Sequence, residues 1–199
     1  MPKFKRFTSG GAEVCIWENE PGETLTFTPS AEAEDMKPNR AVEWVSSRMA
    51  LQELGVDLSC VKKDDFGKPH ITNSEDHISI SHCKQYAAAI RSPFAVGIDI
   101  EAITPRIERI ATRFVNPKEE IVLDKNDRLT ALYVLWGAKE ALYKLYGKKA
   151  VDFREHMVAS PFDLEERGKF YMEFLKGKPM LYVMRYEVFD NHVAVWVME

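Results

Sequence analysis

The run Val96-Gly97-Ile98-Asp99-Ile100-Glu101 alternates apolar residues with a glycine and two acids. In a strand, successive side chains point to opposite faces, so Gly97, Asp99 and Glu101 share one face and the two carboxylates stand roughly 7 Å apart. Such a pair can converge on a hard cation such as Mg²⁺, and Gly97 is expected to leave room for a ligand beside it. The same alternation also suits a half-buried strand with a solvated acidic face. A second segment, Trp136-Gly137-Ala138-Lys139-Glu140-Ala141-Leu142-Tyr143-Lys144, lies in a helical pattern. Residues four apart are neighbours on a helix, so Trp136, Glu140 and Lys144 form one row, with Lys139 about 100° round from Glu140. A carboxylate with flanking ammonium groups suits a metal-phosphate site, although an ordinary surface ion pair has the same spacing.

The third segment is Ile78-Ser79-Ile80-Ser81-His82, whose serines are expected to face away from the core. A hydroxyl beside an imidazole at a strand end can bind phosphate. Adjacent strand residues point apart, and no G-x-S-x-G elbow surrounds them, so a Ser-His nucleophile pair is disfavoured. Basic residues stand at Arg40 and Arg48, about 80° apart on a helix, and at Lys68, after Gly67. Anion binding and plain surface solvation both fit these three when each is read alone.

The elements that must position these residues have local signals. Val42, Val45 and Met49 recur at helical steps in a helix over Lys37 to Leu54, with Gly55 as a stop. Val14 to Phe27 reads as a hairpin about Pro21-Gly22, and Val61 to Asn73 as a loop. Strand patterns run over His77 to His82, Tyr86 to Arg91 and Ala95 to Glu101. Helical patterns follow at Pro105 to Phe114, at Pro117 to Leu123, and at Arg128 to Tyr146 with Gly147 as a stop. Strand patterns end the chain at Phe170 to Leu175, Met180 to Tyr186 and Val193 to Met198. The expectation is an α+β fold of two similar halves, residues 1–102 and 103–199, each a helix plus a three-stranded antiparallel sheet. The halves form one compact unit with a cleft between two lobes.

Composition narrows the function class. The chain has 199 residues, 45% of them hydrophobic, which supports a buried core. The net charge of −4 gives no bulk argument for nucleic-acid binding, and no apolar run is long enough for a membrane helix. Cys15, Cys60 and Cys83 are scattered and odd in number, which predicts reduced thiols and a cytoplasmic location, and the basic N-terminus leads into no signal-like apolar run. A monomer is expected.

Taken together, the segments resemble the 4′-phosphopantetheinyl transferase superfamily in its surfactin-type, two-lobed branch. The resemblance rests on Arg40-x-x-Glu43-Trp44…Arg48, Phe66-Gly67-Lys68-Pro69, Ile78-Ser79-Ile80-Ser81-His82, Gly97-Ile98-Asp99-Ile100-Glu101 and Trp136-x-x-Lys139-Glu140-Ala141-x-x-Lys144. It implies transfer of the phosphopantetheine arm of coenzyme A to a serine of an acyl or peptidyl carrier protein, with adenosine 3′,5′-bisphosphate as the other product. It implies two α+β lobes with coenzyme A between them. It also implies that Asp99, Glu101 and Glu140 hold Mg²⁺ or Mn²⁺, and that Glu140 or a water on the metal accepts the serine proton. By the same likeness Lys144 assists at the phosphate, Lys139 lies near the pyrophosphate, and Arg40, Arg48, Lys68, Ser81 and His82 hold the nucleotide end. A non-catalytic coenzyme A- or carrier-binding relative and a Mg²⁺-dependent phosphohydrolase are the alternatives. Arg106, Arg109 and Arg113, spaced by three and four residues opposite Ile107, Ile110 and Phe114, are the expected docking face for an acidic carrier.

Overall fold

Four consecutive residues of the first strand-like run, Val14 to Trp17, are buried, so both faces of that strand must be covered. The layering follows from this demand. A computed structural model describes residues 4–19 and 37–199. Strands β1 (Phe4–Ser9) and β2 (Ala12–Glu18) are followed by helix α1 (Pro38–Glu53) and a small hairpin, β3 (Val61–Lys63) and β4 (Pro69–Ile71). Then come β5 (His77–His82), β6 (Tyr86–Ser92) and β7 (Val96–Ala102). Short helices α2 (Ala111–Phe114) and α3 (Glu120–Lys125) lead to α4 (Arg128–Tyr146), α5 (Phe153–His156) and β8 (Met157–Ala159). Strands β9 (Arg167–Phe174), β10 (Met180–Phe189) and β11 (His192–Met198) end the chain.

Two antiparallel sheets form, in the orders β1-β2-β6-β5 and β7-β11-β10-β9-β8. Helix α1 covers one face of the first sheet, with Ala50, Leu51 and Leu54 against Cys15, Trp17 and Ala89. The opposite face, through Val14, Ile16, Ala88 and Ile90, meets Ile98, Ile100 and Trp196 of the second sheet. Helix α4 covers the far face of the second sheet, with Leu135, Ala138 and Leu142 against Met184, Val195 and Val197. The result is a helix-sheet-sheet-helix stack. Each fully buried leucine of α4 contributes about 1.5–3 kcal/mol of transfer free energy. Asp127 caps the start of α4 by accepting from the Thr130 N–H, and Gly147, at φ 69°, ends it in the left-handed conformation.

Several expectations change. The sheets have four and five strands in place of three each. Strand β7, grouped in the sequence with β5 and β6, pairs with β11 instead, so the division after residue 102 does not follow sheet membership. Residues 61–73, expected to be a loop, hold the β3–β4 hairpin, because the Asp64 carboxylate accepts the N–H groups of Phe66 and Lys68 and sets the turn. The partner of β2 in its hairpin is β1, across Gly10-Gly11; the Pro21-Gly22 turn lies outside the described residues. The helix expected over Pro105 to Phe114 is a 3₁₀ segment, Pro105–Arg109, broken from α2 at Ile110.

Gly97 has a role other than making room for a ligand. A Cβ there would lie 1.9 Å from the Ala141 carbonyl oxygen, so helix α4 already fills that space. The obstructing atom is helix backbone and cannot step aside cheaply. Gly97→Ala is therefore expected to destabilise the fold by about 3 kcal/mol or more, at the upper end for overpacking. Gly137→Ala, which meets a Val195 methyl, is expected to cost less. Urea denaturation of the two variants checks this, and a Gly97→Ala protein as stable as wild type would refute it.

Candidate active site

Helix α4 lies against β7, and the contact at Gly97 brings the Trp136-Glu140-Lys144 row beside Asp99 and Glu101. Lys144 Nζ donates to Asp99 Oδ1 at 2.7 Å and to the Ile98 carbonyl at 3.0 Å. Two turns back along the helix, Trp136 Nε1 donates to Glu101 Oε1 at 3.4 Å. Ser81 Oγ donates to Asp99 Oδ1 at 2.8 Å. Asp99 is 5% exposed, and its second oxygen, Oδ2, is buried with no hydrogen-bond partner among the described residues. An unpaired buried carboxylate oxygen is costly and asks for a cationic or donor ligand.

The charges of the cluster are strained. Burial, and then the negative charge of Asp99, push Glu140 up from the usual 4.5 to about 7, against the partial relief of Lys144. Glu101 is raised for the same two reasons, burial first and Asp99 second. Three carboxylates with one ammonium in contact form a set that a divalent cation fits. Among the described residues, no three His, Cys, Asp or Glu side chains already stand together as a metal cluster. The support for a cation is the free Asp99 oxygen and the donor chemistry.

The expectation that Ser79 and Ser81 face away from the core is corrected. Both are buried, because β5 lies alongside β7. Ser79 Oγ accepts from the Ile98 N–H at 3.3 Å, while the Ser81 hydroxyl is committed to Asp99. Lys139 is a second correction. It is fully buried, donating to Glu119 Oε2 at 2.7 Å and to the Phe114 carbonyl at 2.6 Å, and does not join the cluster. The 100° between it and Glu140 turns it into the core of the second half.

The other expected residues lie nearby in different settings. Lys68 Nζ donates to the Leu145 carbonyl at 2.7 Å, at the C-terminal end of α4, where burial pulls its pKa down. With Lys63, Lys144, Lys148 and Lys149 it lines a cavity of about 260 Å³. His82 Nδ1 stands 3.4 Å from Glu43 Oε2, with burial lowering its pKa more than Glu43 raises it. The Arg48 guanidinium stacks on the Trp44 ring, 3.3 Å from its centre, and Arg40 is exposed near His82. The sequence patterns assign no role to Glu43 or Glu119. Glu43 lies inside the Arg40-to-Arg48 motif, so a signal was present; the link from Glu119 to Lys139 spans twenty residues and has no local signature. Arg106, Arg109 and Arg113 are all exposed, with Ile107 and Phe114 buried behind them.

An antiparallel α+β scaffold thus carries a carboxylate cluster beside a lysine-lined cavity. Residues 95–196 match the 4′-phosphopantetheinyl transferase superfamily, and the chain belongs to it. It is similar to 4′-phosphopantetheinyl transferase gsp of Aneurinibacillus migulanus, at 33% identity over 90 residues, 44% of this chain and 38% of that protein. It is also similar to a holo-[acyl-carrier-protein] synthase of Shouchella clausii (strain KSM-K16), at 33% identity over 86 residues, 35% of this chain and 74% of that protein. The match thus spans well under half the length of the Aneurinibacillus protein. No described helix is long and apolar enough to cross a membrane.

Two expected outcomes follow from the buried charges. Lys139→Met strands the Glu119 carboxylate in the core and is expected to cost about 3–5 kcal/mol in urea denaturation; an unchanged midpoint with weakened coenzyme A binding would return Lys139 to the nucleotide. For Glu140, a folded pKa raised from 4.5 to about 7 means that the stability its protonated form confers is fully present below about 4.5 and lost as pH rises through about 7. In chelator, Glu140→Gln is expected to gain on wild type by on the order of 3 kcal/mol between pH 4.5 and 8. Mg²⁺ should raise the wild-type melting temperature more at pH 8 than at pH 5. Parallel pH profiles of the two proteins would refute the assignment.

Proposed function

We propose that this protein transfers the 4′-phosphopantetheine arm of coenzyme A to a serine hydroxyl of an acyl or peptidyl carrier protein. The observation that carries the reading is the Asp99 carboxylate, held through one oxygen by Ser81 and Lys144 and left unpaired at the other, with Glu101 and Glu140 beside it. Family membership and the names of both relatives support the same reaction class.

In the proposed reaction the carrier serine oxygen forms a bond to the phosphorus that bears the pantetheine arm. The bond from that phosphorus to the bridging oxygen breaks, and adenosine 3′,5′-bisphosphate leaves. A divalent cation, Mg²⁺ or Mn²⁺, held by Asp99, Glu101 and Glu140 would supply charge neutralisation at the pyrophosphate oxygens. Glu140 would take the serine proton on its carboxylate. Lys144 keeps Asp99 in place and is proposed to assist at the reacting phosphate. Lys68, with the other lysines of its cavity, and His82, Arg48 and Arg40 are proposed to hold the nucleotide phosphates. Ser81 acts on Asp99 in this reading, not on the nucleotide. The exposed Arg106, Arg109 and Arg113 are proposed to meet an acidic carrier surface by long-range charge attraction.

The test is incubation of candidate apo-carriers with coenzyme A and Mg²⁺, followed by mass spectrometry. The expected result is a gain of one phosphopantetheine group, abolished by chelator and reduced by two or more orders of magnitude in Asp99→Ala. Full transfer by chelated Asp99→Ala protein would overturn the metal assignment, and hydrolysis of coenzyme A without a modified carrier would favour a phosphohydrolase.

A further inference from the structure

The second sheet has another face, turned away from α4, and its register makes a row of donors there. Lys169 of β9 stands directly opposite Arg185 of β10, and Arg185 directly opposite Trp196 of β11. Cross-strand partners project on the same side, so the three side chains share one line. Like charges directly opposite one another destabilise a sheet. No described carboxylate lies within ion-pair distance of either cation. Arg185 is seated over Gly10, where a Cβ would come within 2.8 Å of its guanidinium carbon, and among the described residues it donates only to the Val183 carbonyl, at 3.5 Å. Trp196 is 5% exposed, and its Nε1–H has no partner among the described residues.

The neighbouring row shows how this charge arrangement is normally balanced. Arg167 stands opposite Glu187, and Lys5 also reaches the same Glu187 oxygen, so that acid already carries two cations. Asp163 and Glu165 border the same groove, but neither pairs with Lys169 or Arg185. Among the described residues, the exposed Lys169 has no carboxylate partner, Arg185 has only the long contact to the Val183 carbonyl, and the buried indole N–H has no acceptor, beside a groove of about 880 Å³. Its apolar walls include Phe7, which meets the Trp196 ring edge-on at 5.5 Å, together with Phe162 and Tyr171. A concave site of this size, mostly apolar, with a few convergent donors is the form of a small-ligand pocket.

We propose that this groove is a second binding site, for a carboxylate carried on a flat apolar body. The carboxylate takes charge-assisted hydrogen bonds from Lys169 and Arg185 and one from Trp196 Nε1, and the apolar body lies against Phe7 and Tyr171. None of the groove's lining residues belongs to the Asp99-Glu140 cluster or to the lysine-lined cavity. The proposal therefore stands apart from the transferase reading.

The experiment titrates the full chain with 2-naphthoate and, as a neutral control, 2-naphthalenemethanol, by calorimetry in chelator. Wild type is expected to bind the acid about tenfold or more tightly than the alcohol. Lys169→Gln/Arg185→Gln should abolish that preference while melting no lower than wild type, because it removes a like-charge contact. Trp196→Phe keeps the ring contact with Phe7 and should weaken the acid several-fold. Equal affinity for acid and alcohol, no binding by wild type at millimolar concentration, or binding lost in Lys68→Gln but retained in the Lys169/Arg185 variant would each overturn the proposal. So would a dimer in sedimentation that the Lys169/Arg185 variant dissociates and naphthoate does not, since that would assign the face to a second copy of the chain.

Discussion

The backbone of helix α4 touches the backbone of strand β7 at Gly97, with no side chain between them. Much else depends on this contact. It sets the depth at which the Trp136-Glu140-Lys144 row meets Asp99 and Glu101, and it excludes water from Asp99. Burial then raises Glu140 and Glu101, since each carboxylate must ionise in low dielectric beside another negative charge. A methyl group at position 97 would push the helix outward and relax the electrostatics along with the packing.

Two lysines of the same helix illustrate how scaffold and site differ. Lys139 meets Glu119, whose two oxygens are both used: Oε2 by Lys139 and the Asn116 N–H, Oε1 by the Ala159 N–H. That network is closed and ties the 116–119 turn, β8 and α4 together. Lys144 meets Asp99, which keeps one buried oxygen unpaired. A closed buried network fixes a structure, whereas an open one holds polar capacity for something to be bound. The same contrast separates Glu187, engaged by two cations, from the unmatched Lys169 and Arg185 in the adjoining row.

The two faces of the second sheet therefore carry different chemistry. The face toward α4 presents acids at its β7 edge, and the face toward β1 presents cations on β9 and β10. Each departs from the pairing that a purely structural sheet would reach, and each does so beside a concavity. The first sheet packs over the β7 and β11 portion of the second and leaves β9 and β10 uncovered where Tyr171 and Leu181 are exposed.

Elements with strong local signals were legible in the sequence alone. The bounds of α4, Arg128 to Tyr146 with Gly147 as the stop, and those of β5 follow from periodicity and end chemistry. So did the pairing of Glu140 with Lys144 on one helix row and of Asp99 with Glu101 on one strand face, because both periods are local geometry. The sequence also carried the family resemblance. Tertiary structure decided what local pattern cannot reach. The strands β3, β4 and β8 have three residues each and exist only through hydrogen bonds to their partners. The sheet that β7 joins depends on β11, about a hundred residues later, and the close approach at Gly97 depends on where α4 lands. Lys139 reads from sequence as a neighbour of Glu140, but a turn of about 100° sends it to a carboxylate twenty residues away. Spacing sets which side chains share a face; only the packed chain sets what that face meets.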